Sequence, residues 1–489
     1  MIEKEGTMFD VIIVGAGISG INAGYRVQEK QPDYSYAILE ARGGMGGTWD
    51  FFKYPGIRSD SDLQTFGFKW RPWTDNRPIA DGASICEYLK ESAAEHGIDQ
   101  HIRYHHKMVS ANWSTDEQMW TLTVDADGET TYFHSRFVIL GTGYYDYEEP
   151  LAVDIPGLEN FGGKIIHPQF WPEDLDYSGK KMAIVGSGAT AITLVPNVVE
   201  KVERVTMIQR SPSYILSIPN SNAGALALLK WILPSSLYFK IARWRYMFLA
   251  FLLYRVCQAY PNASRFLLQK GAKLQLPETI STDPHFQPKY NPWDQRMCLC
   301  PDGDFYKALK TGKADIVTGT IRTVDKTGLQ MDDGTHVDAD IIITATGLRL
   351  RLAGGAKVSV DKAPIQFSKK FLWKYIMLQD VPNLSFMIGY TNASWTLGAD
   401  ASVTLFTRVM SEMKKKGSTS ATPRMENGDQ IKSTPILNLS STYISKAMDT
   451  LPRSGAEGNW KPRDHYYKDI WDAKHGDIQE GMEYTTVST

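Results

Sequence analysis

Two glycine-rich turns, each set between a short apolar segment and a helix, restrict the fold of this chain more than any other feature. GAGISG at Gly15–Gly20 follows an apolar run, and GSGATA at Gly186–Ala191 follows the apolar segment Lys180–Val185. A strand, a glycine turn and a helix in this order are typical of dinucleotide-binding units, in which backbone N–H groups face a pyrophosphate. The sequence therefore predicts an α/β chain with two doubly wound, Rossmann-like domains. The expected cofactor contacts in the turns are Gly15, Gly17, Gly20, Gly186, Ser187, Gly188, Ala189 and Thr190.

The residues that follow the second strand of each unit differ. Glu40 stands after Tyr36–Leu39, at the spacing at which a carboxylate reaches the ribose hydroxyls of an adenosine. Arg210 and Ser211 occupy the corresponding place after Val205–Gln209. A guanidinium and a hydroxyl favour a 2′-phosphate, which indicates NADPH, unless Arg210 is an ordinary exposed arginine. The simplest arrangement is FAD in the first domain and NADPH in the second.

The stretch FGGKIIHPQFWP lies between the two turns and follows the pattern F-x-G-x-x-x-H-x-x-x-W-P. Its fixed positions are Phe161, Gly163, His167, Trp171 and Pro172. This pattern resembles the fingerprint of type I Baeyer–Villiger monooxygenases, which belong to the flavin-containing monooxygenase superfamily. The alternative is a linker between domains that contains proline and glycine and buries a tryptophan. By the resemblance, His167 fixes this linker and is not a catalytic base.

The resemblance extends over nearly the whole chain. It is carried by the segments GGTWDFFKYPGIRSDSD, HPQFWPEDLDY, GSGATAITLVP, QRSPSYI, YNPWDQR, DIIITATGL and GYTNASWTL. These segments are most similar to the ethionamide-activating branch of the family, which is associated with open-chain ketones and with sulfur oxidation of thioamides and sulfides. The resemblance implies an enzyme that uses NADPH and O2 to convert ketones to esters through a C4a-peroxyflavin.

The resemblance also implies roles for individual residues. Those matching the run that borders the isoalloxazine ring are Gly47, Thr48, Trp49 and Tyr54. Asp60 matches a carboxylate that pairs with a catalytic arginine, and Arg296 matches that arginine, which stabilises the peroxide anion. Without the resemblance, Asp60 is better explained as a helix N-cap that precedes an apolar stretch. Gln295 stands where many members carry lysine, which removes one possible contact to the 2′-phosphate.

Residues 223–275 are rich in Leu, Trp, Tyr and Phe with scattered Lys and Arg. The longest uncharged run there, Tyr246–Tyr254, is well short of a bilayer span. We therefore expect a helical insertion whose apolar face packs on the two nucleotide domains. Contact with a membrane surface is a less favoured alternative, which basic and aromatic-rich helices allow.

The expected domain order follows from the two turns and the insertion. Residues 1–148 and 349–489 form a discontinuous FAD-binding domain. Residues 149–220 and 296–348 form the NADPH-binding domain, and residues 221–295 form the helical insertion.

Composition and residue spacing exclude several classes of protein. The chain has 489 residues and a net charge of −2, so no general attraction to nucleic acid is expected. Four cysteines are too few for a disulfide framework, and Cys298 and Cys300 are too close together for a C-x-x-C redox pair. His101, His105 and His106 lack a nearby set of Cys or acidic ligands, so no metal site is expected. The acidic N-terminus does not resemble a signal peptide, so a cytoplasmic location is expected.

Two alternatives to the Baeyer–Villiger hypothesis remain open at this point. One is a flavin monooxygenase that is limited to N- or S-oxygenation and also uses two dinucleotide folds. The other is a non-catalytic interaction protein that binds FAD and NADPH. The expected partners of the enzyme are O2 and a small ketone or sulfide.

Overall fold

The computed structural model describes residues 6–221, 225–425, 431–437 and 442–487. The expected domain ranges also extend over residues 1–5, 222–224, 426–430, 438–441 and 488–489, which lie outside the described residues.

A mixed sheet of 11 strands, counted over the described residues, forms the centre of the first domain. Six of these strands lie between residues 7 and 140, and the other five lie between residues 357 and 386. Parallel pairing joins Thr7–Val14 to Tyr36–Leu39 on one side and to Glu129–Leu140 on the other. Residues Val11–Val14 are all buried, because a parallel sheet is covered on both faces. The other strands are Ile102–Arg103, His106–Ser114, Met119–Ala126, Lys357–Val360, Ala363–Pro364, Leu372–Trp373, Met377–Leu378 and Leu384–Phe386.

A second sheet of five parallel strands, again counted over the described residues, lies behind the second glycine turn. Its strands are Lys164–Ile166, Lys181–Val185, Arg204–Gln209, Ala314–Thr318 and Ile341–Thr344. A small antiparallel sheet of Ile321–Val324, Gly328–Met331 and His336–Asp338 covers one side. Two separate sheets, each serving one glycine turn, confirm the predicted α/β fold class with two dinucleotide-binding domains.

Helices cover these sheets. Trp395–Lys416 packs against Ile18–Lys30 beside the first sheet, and Ala189–Val198 packs against Asp304–Lys310 beside the second. The remaining helices of the two domains are Thr48–Phe51, Leu63–Phe66, Gly82–Glu95, Thr442–Ala447 and Tyr466–His475. Short 3-10 helices are Ile98–His101, Leu158–Asn160, Pro168–Phe170, Leu352–Gly355, Phe367–Lys369 and Gly458–Trp460. Three further strand pairs are Ile215–Ile218 with Cys298–Pro301, Ser420–Pro423 with Met482–Thr485, and Ser433–Pro435 with Arg453–Gly455.

The fingerprint stretch contributes an edge strand to the second sheet. Lys164–Ile166 pairs in parallel with Ile341–Thr344 and forms the edge of the second sheet. The chain crosses between the two sheets at residues 141–149 and returns at residues 345–351. The alternative that this stretch is only a linker between domains does not fit residues 164–166, because they pair within the sheet.

The predicted insertion is helical, with helices at Ala225–Ile232, Ser235–Ala259 and Pro261–Lys273. Arg243 anchors it to the first domain by donating from Nη1 to the carbonyl oxygens of Gln64 (2.9 Å) and Gly67 (2.7 Å). The expectation that its apolar side chains pack on the nucleotide domains holds for one face only, since many of them are exposed. Among the described residues, the helices are too short or too polar to cross a membrane.

Candidate active site

The larger of two neighbouring cavities, here called the cofactor cavity, has a volume of about 530 Å³. It opens where three parallel strands of the first sheet end, at Val14, Leu39 and the residues that follow Leu140. Ligands of open α/β sheets bind outside the carboxyl ends of the strands. The topology therefore places this cavity where a dinucleotide is expected.

The first glycine turn forms one wall of the cofactor cavity. Gly15 has a φ of +100°, and a Cβ there would lie 2.8 Å from the carbonyl oxygen of Gly141. Gly17 is the N-cap residue of helix Ile18–Lys30, so the backbone approaches the cavity without a side chain in the way. A Cβ at Gly20 would lie 1.8 Å from the Gly15 carbonyl oxygen, so the helix can lie this close to the turn only because residue 20 is glycine. This wall fits the pyrophosphate of a dinucleotide, since backbone N–H groups and the helix N-terminus face the space.

Glu40 is buried at the rim of the same cavity. Its Oε2 accepts a hydrogen bond from the Ala16 N–H (2.8 Å), and its Oε1 accepts one from the Arg42 N–H (3.0 Å). The carboxylate therefore links the glycine turn to the end of the second strand, and it lies where a ribose would be bound.

The loop that follows encloses the cavity and reaches the second domain. The Thr48 hydroxyl shares a hydrogen bond of 2.9 Å with the Tyr147 hydroxyl, and the Trp49 ring meets Phe66 edge to face. Tyr54 is buried, and its hydroxyl interacts with Thr190 of the second glycine turn. Burial raises the pKa of Tyr54 well above its ordinary value, so this residue is a neutral hydrogen-bonding group.

Asp60 and Arg296, 236 residues apart in sequence, form a two-point ion pair. The Arg296 Nη2 donates to Oδ1 of Asp60 at 3.1 Å, and its Nε lies 3.0 Å from Oδ2. Such paired contacts fix the plane of the guanidinium as well as its position. Both side chains are partly exposed, so they remain accessible to a bound ligand.

The second cavity has a volume of about 430 Å³ and shares Asp60, Ser61 and Arg296 with the cofactor cavity. The rest of its wall is mainly apolar and aromatic, and much of it comes from helix Ser235–Ala259 of the insertion. The segments from Asn392 to Ser394 and from His465 to Tyr467 also line it. The ion pair therefore stands where two spaces meet, one shaped by nucleotide-binding elements and one by apolar side chains.

The second glycine turn is more open than the first. Gly186 has a φ of +142°, and a Cβ there would lie 2.2 Å from the Ala345 carbonyl oxygen. Ser187 donates from Oγ to the Ser211 carbonyl oxygen at 2.8 Å. Arg210 is exposed at the end of strand Arg204–Gln209. Ala189 and Thr190 line the cofactor cavity, whereas the described walls of both cavities exclude Gly186, Ser187, Gly188, Arg210 and Ser211.

The fingerprint residues lie outside the described walls of both cavities. His167 begins the turn Pro168–Phe170 and accepts a hydrogen bond at Nδ1 from the Gln169 N–H (3.2 Å). Burial lowers the pKa of His167 and contact with the backbone of Gly347 opposes this shift, so the ring is mainly neutral. Trp171 is buried against Tyr177. The remaining fingerprint residues are Phe161, packed beside the second sheet, Gly163, whose Cβ would lie 2.2 Å from the Asp340 carbonyl oxygen, and Pro172.

Backbone hydrogen bonds join the two segments in which the chain crosses between the domains, residues 141–149 and 345–351, beside this fingerprint. The Asp146 N–H donates to the Arg349 carbonyl oxygen (2.8 Å), and the Arg351 N–H donates to the Tyr144 carbonyl oxygen (3.0 Å). Gln169 of the fingerprint donates from Nε2 to the Asp146 carbonyl oxygen at 2.6 Å. The fingerprint therefore contacts one crossing through Gln169 and the other through His167.

Comparisons with known proteins show which family this chain is part of. The family described as pyridine nucleotide-disulphide oxidoreductase matches residues 12–217. FAD-containing monooxygenase EthA of Mycolicibacterium smegmatis is 44% identical over 479 residues, which cover 98% of this chain and 97% of the relative. The chain belongs to the FAD-containing monooxygenases. A second member, EthA of Mycobacterium tuberculosis, is 43% identical over 477 residues, with coverage of 97% for each chain.

Solved structures extend the likeness to the fold. The closed form of cyclohexanone monooxygenase matches with a TM-score of 0.77 and 17% identity, covering 99% of this chain and 100% of that chain. Oxidized steroid monooxygenase bound to NADP matches with a TM-score of 0.76 and 19% identity, covering 98% and 100%. These structures show the fold, whereas the relatives at 43–44% identity confirm the resemblance to the flavin-containing monooxygenase superfamily and FAD as a cofactor.

The thiols and imidazoles of this FAD-containing monooxygenase make separate contacts. Burial raises the pKa of Cys298 and of Cys300 to about 12, so both remain protonated near neutral pH. His101 stacks on Tyr36, His105 pairs with Asp127, and His106 contacts a backbone carbonyl. Across the described residues, all four cysteines are free and no metal-binding group of His, Cys, Asp and Glu is found. Thiol redox chemistry is therefore not supported as the activity.

Several residues of the FAD-containing monooxygenase site were missed at the sequence level. Arg42 donates from Nη2 to the Gly47 carbonyl oxygen (2.8 Å) and so holds the loop over the cofactor cavity. Arg58, which also lines that cavity, is paired with Asp304 of the second domain. Trp395 lines the cavity from the far end of the chain and donates to the Ser19 hydroxyl at 2.9 Å. Arg58 and Trp395 lie within segments that carry the resemblance, whereas Arg42 lies just before the first of them and offered no signal.

Proposed function

We propose that this chain catalyses the NADPH- and O2-dependent conversion of ketones, open-chain ketones above all, to esters by Baeyer–Villiger oxygen insertion, and that it also oxygenates sulfides. The observation that carries the proposal is the position of the Asp60–Arg296 pair between the cofactor cavity and the second cavity. The fingerprint with its terminal Trp171–Pro172 favours this reaction over N- and S-oxygenation alone. A charged pair beside the cofactor cavity also argues against the alternative of a non-catalytic interaction protein that binds FAD and NADPH.

The residues of the cofactor cavity fit FAD. The Gly15–Gly20 turn would hold the pyrophosphate, Glu40 the adenosine ribose, and the Gly47–Trp49 segment with Tyr54 would border the flavin ring. Bound FAD, reduced by NADPH, would supply oxygen from O2 in a form that can attack a carbonyl or a sulfide. The protein itself supplies position and charge.

In this proposal Arg296 is the catalytic residue. Addition of oxygen to a ketone leaves negative charge on the carbonyl oxygen, and a guanidinium at the boundary of the two cavities would stabilise that oxyanion. Asp60 orients the guanidinium through its two contacts and keeps the pair neutral overall. The apolar second cavity would hold the carbon chain of the ketone, which requires no polar partner.

NADPH is proposed for the second glycine turn. Gly186, Ser187 and Gly188 would face its pyrophosphate, since a Cβ at Gly188 would meet open space among the described residues. Arg210 and Ser211 would contact the 2′-phosphate. The solved steroid monooxygenase of the same fold was bound to NADP.

Replacing Arg210 with alanine is expected to raise the KM for NADPH by about 10- to 100-fold while leaving the KM for NADH unchanged. The reason is the loss of a charge-assisted hydrogen bond to a phosphate that NADH lacks. Initial rates with each cofactor measure the effect. Arg204→Ala is the matched control, because Arg204 is an exposed cation that begins the strand after which Arg210 stands. An unchanged KM for NADPH in the Arg210 variant would assign the 2′-phosphate to another residue.

We further propose that the fingerprint acts as a positioning element for the two domains. His167 and Gln169 each contact one of the two crossings, so they would keep the nucleotide sites at a fixed separation while NADPH is bound. This proposal keeps the domain ranges expected from the sequence, with the FAD-binding domain at 1–148 and 349–489. The NADPH-binding ranges are 149–220 and 296–348, and the insertion is 221–295.

Product analysis tests the proposed function. The purified holoprotein is given NADPH, air and a medium-chain methyl ketone, with an alkyl sulfide in a parallel reaction. We expect an ester that contains one more oxygen than the ketone, together with a sulfoxide from the sulfide. Sulfoxide without ester would instead support an enzyme limited to N- or S-oxygenation.

A further inference from the structure

The exposed face of the helical insertion differs from the rest of the surface in its apolar content. Thirteen of the 21 large hydrophobic side chains found exposed among the described residues lie between positions 225 and 274. Trp231 is 91% exposed, which is unusual for the largest apolar side chain. A soluble surface seldom carries such a concentration unless it meets another apolar phase or molecule.

Four of these side chains form a row along one helix. Trp244, Phe248, Leu252 and Val256 are four residues apart in Ser235–Ala259, so they follow one another along a stripe, and each is between 41% and 56% exposed. The rings of Trp244 and Phe248 stack at 5.3 Å, which makes a continuous aromatic surface. Below, we call this stripe the exposed apolar stripe.

The charge of the same segment is one-sided. Residues 225–274 contain eight Lys and Arg residues and no Asp or Glu, whereas the whole chain has a net charge of −2. The rest of the chain therefore has a net charge of −10. The six exposed cations are Lys230, Lys240, Arg245, Arg255, Lys270 and Lys273. Within the described part of the chain none of the six forms an ion pair, although Lys230 donates to Oδ1 of Asn76 at 2.7 Å, so their charge is available to an external anion.

We propose that the insertion docks on the surface of a bilayer that contains anionic lipids. The exposed apolar stripe would lie at the boundary between headgroups and acyl chains, and the surrounding cations would contact lipid phosphates. Tryptophan is well suited to this boundary because it has an apolar ring and a polar N–H group. Binding is peripheral, in keeping with described helices that are too short or too polar to span a membrane.

The charge pattern selects this occupant over two others. A second copy of the chain, paired through the same face, would bring two segments of charge +8 together, which opposes association. A nucleic acid would satisfy the cations but would leave the apolar stripe in water. An anionic bilayer satisfies both features at once.

Docking would also place the second cavity next to the lipid. Leu249 and Leu253 line that cavity from the helix that carries the exposed apolar stripe, and Leu249 is itself partly exposed. This consequence rests on the proposed function, whereas docking itself does not. Vesicle binding is therefore measured without turnover, so that a failure of docking and a failure of the proposed reaction can be told apart.

Sedimentation with lipid vesicles tests the proposal. The purified holoprotein is mixed with vesicles of phosphatidylcholine or with vesicles of equal parts phosphatidylcholine and phosphatidylglycerol. We expect binding to the anionic vesicles to be at least about tenfold stronger, since each cation near such a surface contributes about 1 kcal/mol. Equal or undetectable binding to both vesicle types would overturn the proposal.

Paired variants identify the surface involved. Trp244→Ser with Phe248→Ser, and separately Lys240→Glu with Lys270→Glu, should each reduce binding to anionic vesicles by about tenfold or more. Trp471→Ser and Lys415→Glu are matched controls, because both side chains are exposed outside the insertion. Flavin content and thermal unfolding show that each variant is folded. Binding that responds equally to the controls, or a dimer that dissociates in the Trp244 and Phe248 variant, would contradict the proposal.

Discussion

Replacing Arg296 with alanine is expected to lower ester formation by about 10²- to 10³-fold, while FAD stays bound and NADPH is still oxidised. The reason is that the guanidinium is proposed to stabilise charge that develops only during oxygen transfer to the ketone. Its removal leaves the glycine turn and Glu40 intact, so the nucleotide sites keep their contacts. Ester yield, NADPH consumption and hydrogen peroxide release are measured together on the same preparation.

Two further variants make this prediction specific. Arg296→Lys keeps a positive charge but loses the paired contact with Asp60, so its ester yield should lie between those of the wild type and Arg296→Ala. Asp60→Asn keeps the shape of the partner but removes its charge, and it should lower ester yield without releasing FAD. An Arg296→Ala variant with a normal ester yield would remove the proposed role of this residue.

Gly15→Ala is expected to yield protein with less than about one tenth of the normal flavin content. The backbone φ of +100° disfavours alanine, and the added Cβ would lie 2.8 Å from the Gly141 carbonyl oxygen, so the turn must move. A displaced turn loses its hydrogen-bonding position toward the pyrophosphate, and each 1.4 kcal/mol of lost affinity is a factor of about ten. Flavin absorbance per protein after gel filtration measures the effect.

Gly128→Ala is the matched control for this substitution. Gly128 has a similar φ of +89°, but a Cβ there would meet no atom of the described residues within 4 Å. The control therefore carries the same backbone strain, about 1–2 kcal/mol, without the close approach and far from the cofactor cavity. A normal flavin content in Gly15→Ala, or an equal loss in Gly128→Ala, would show that the turn does not hold the cofactor as described.

The parts of the fold that depend on local backbone chemistry could be predicted from the sequence. Positive φ angles at Gly15 and Gly186 admit few residues other than glycine, so both turns and the strands before them are recognisable. Glu40 could be predicted for the same reason, because its distance from the turn is set by one helix and one strand.

Contacts between distant parts of the chain could not be derived in this way. Asp60 and Arg296 are 236 residues apart, and only resemblance to a family connected them before the structure placed them in contact. The hydrogen bonds that join Asp146 to Gln169 and to Arg349 were missed, because contacts between distant segments leave no periodic pattern in the sequence. The sequence also could not show which apolar side chains of the insertion are covered, because periodicity identifies an apolar face but not what covers it.

Oxygen-isotope labelling tests the central claim most directly. The holoprotein is supplied with NADPH and an open-chain ketone under oxygen-18 gas in ordinary water, and the product is analysed by mass spectrometry. The proposed function predicts an ester that contains one oxygen-18 atom, located in the new carbon–oxygen single bond. An ester that contains no label would contradict it, as would an unchanged ketone together with a labelled sulfoxide in a parallel reaction with a sulfide.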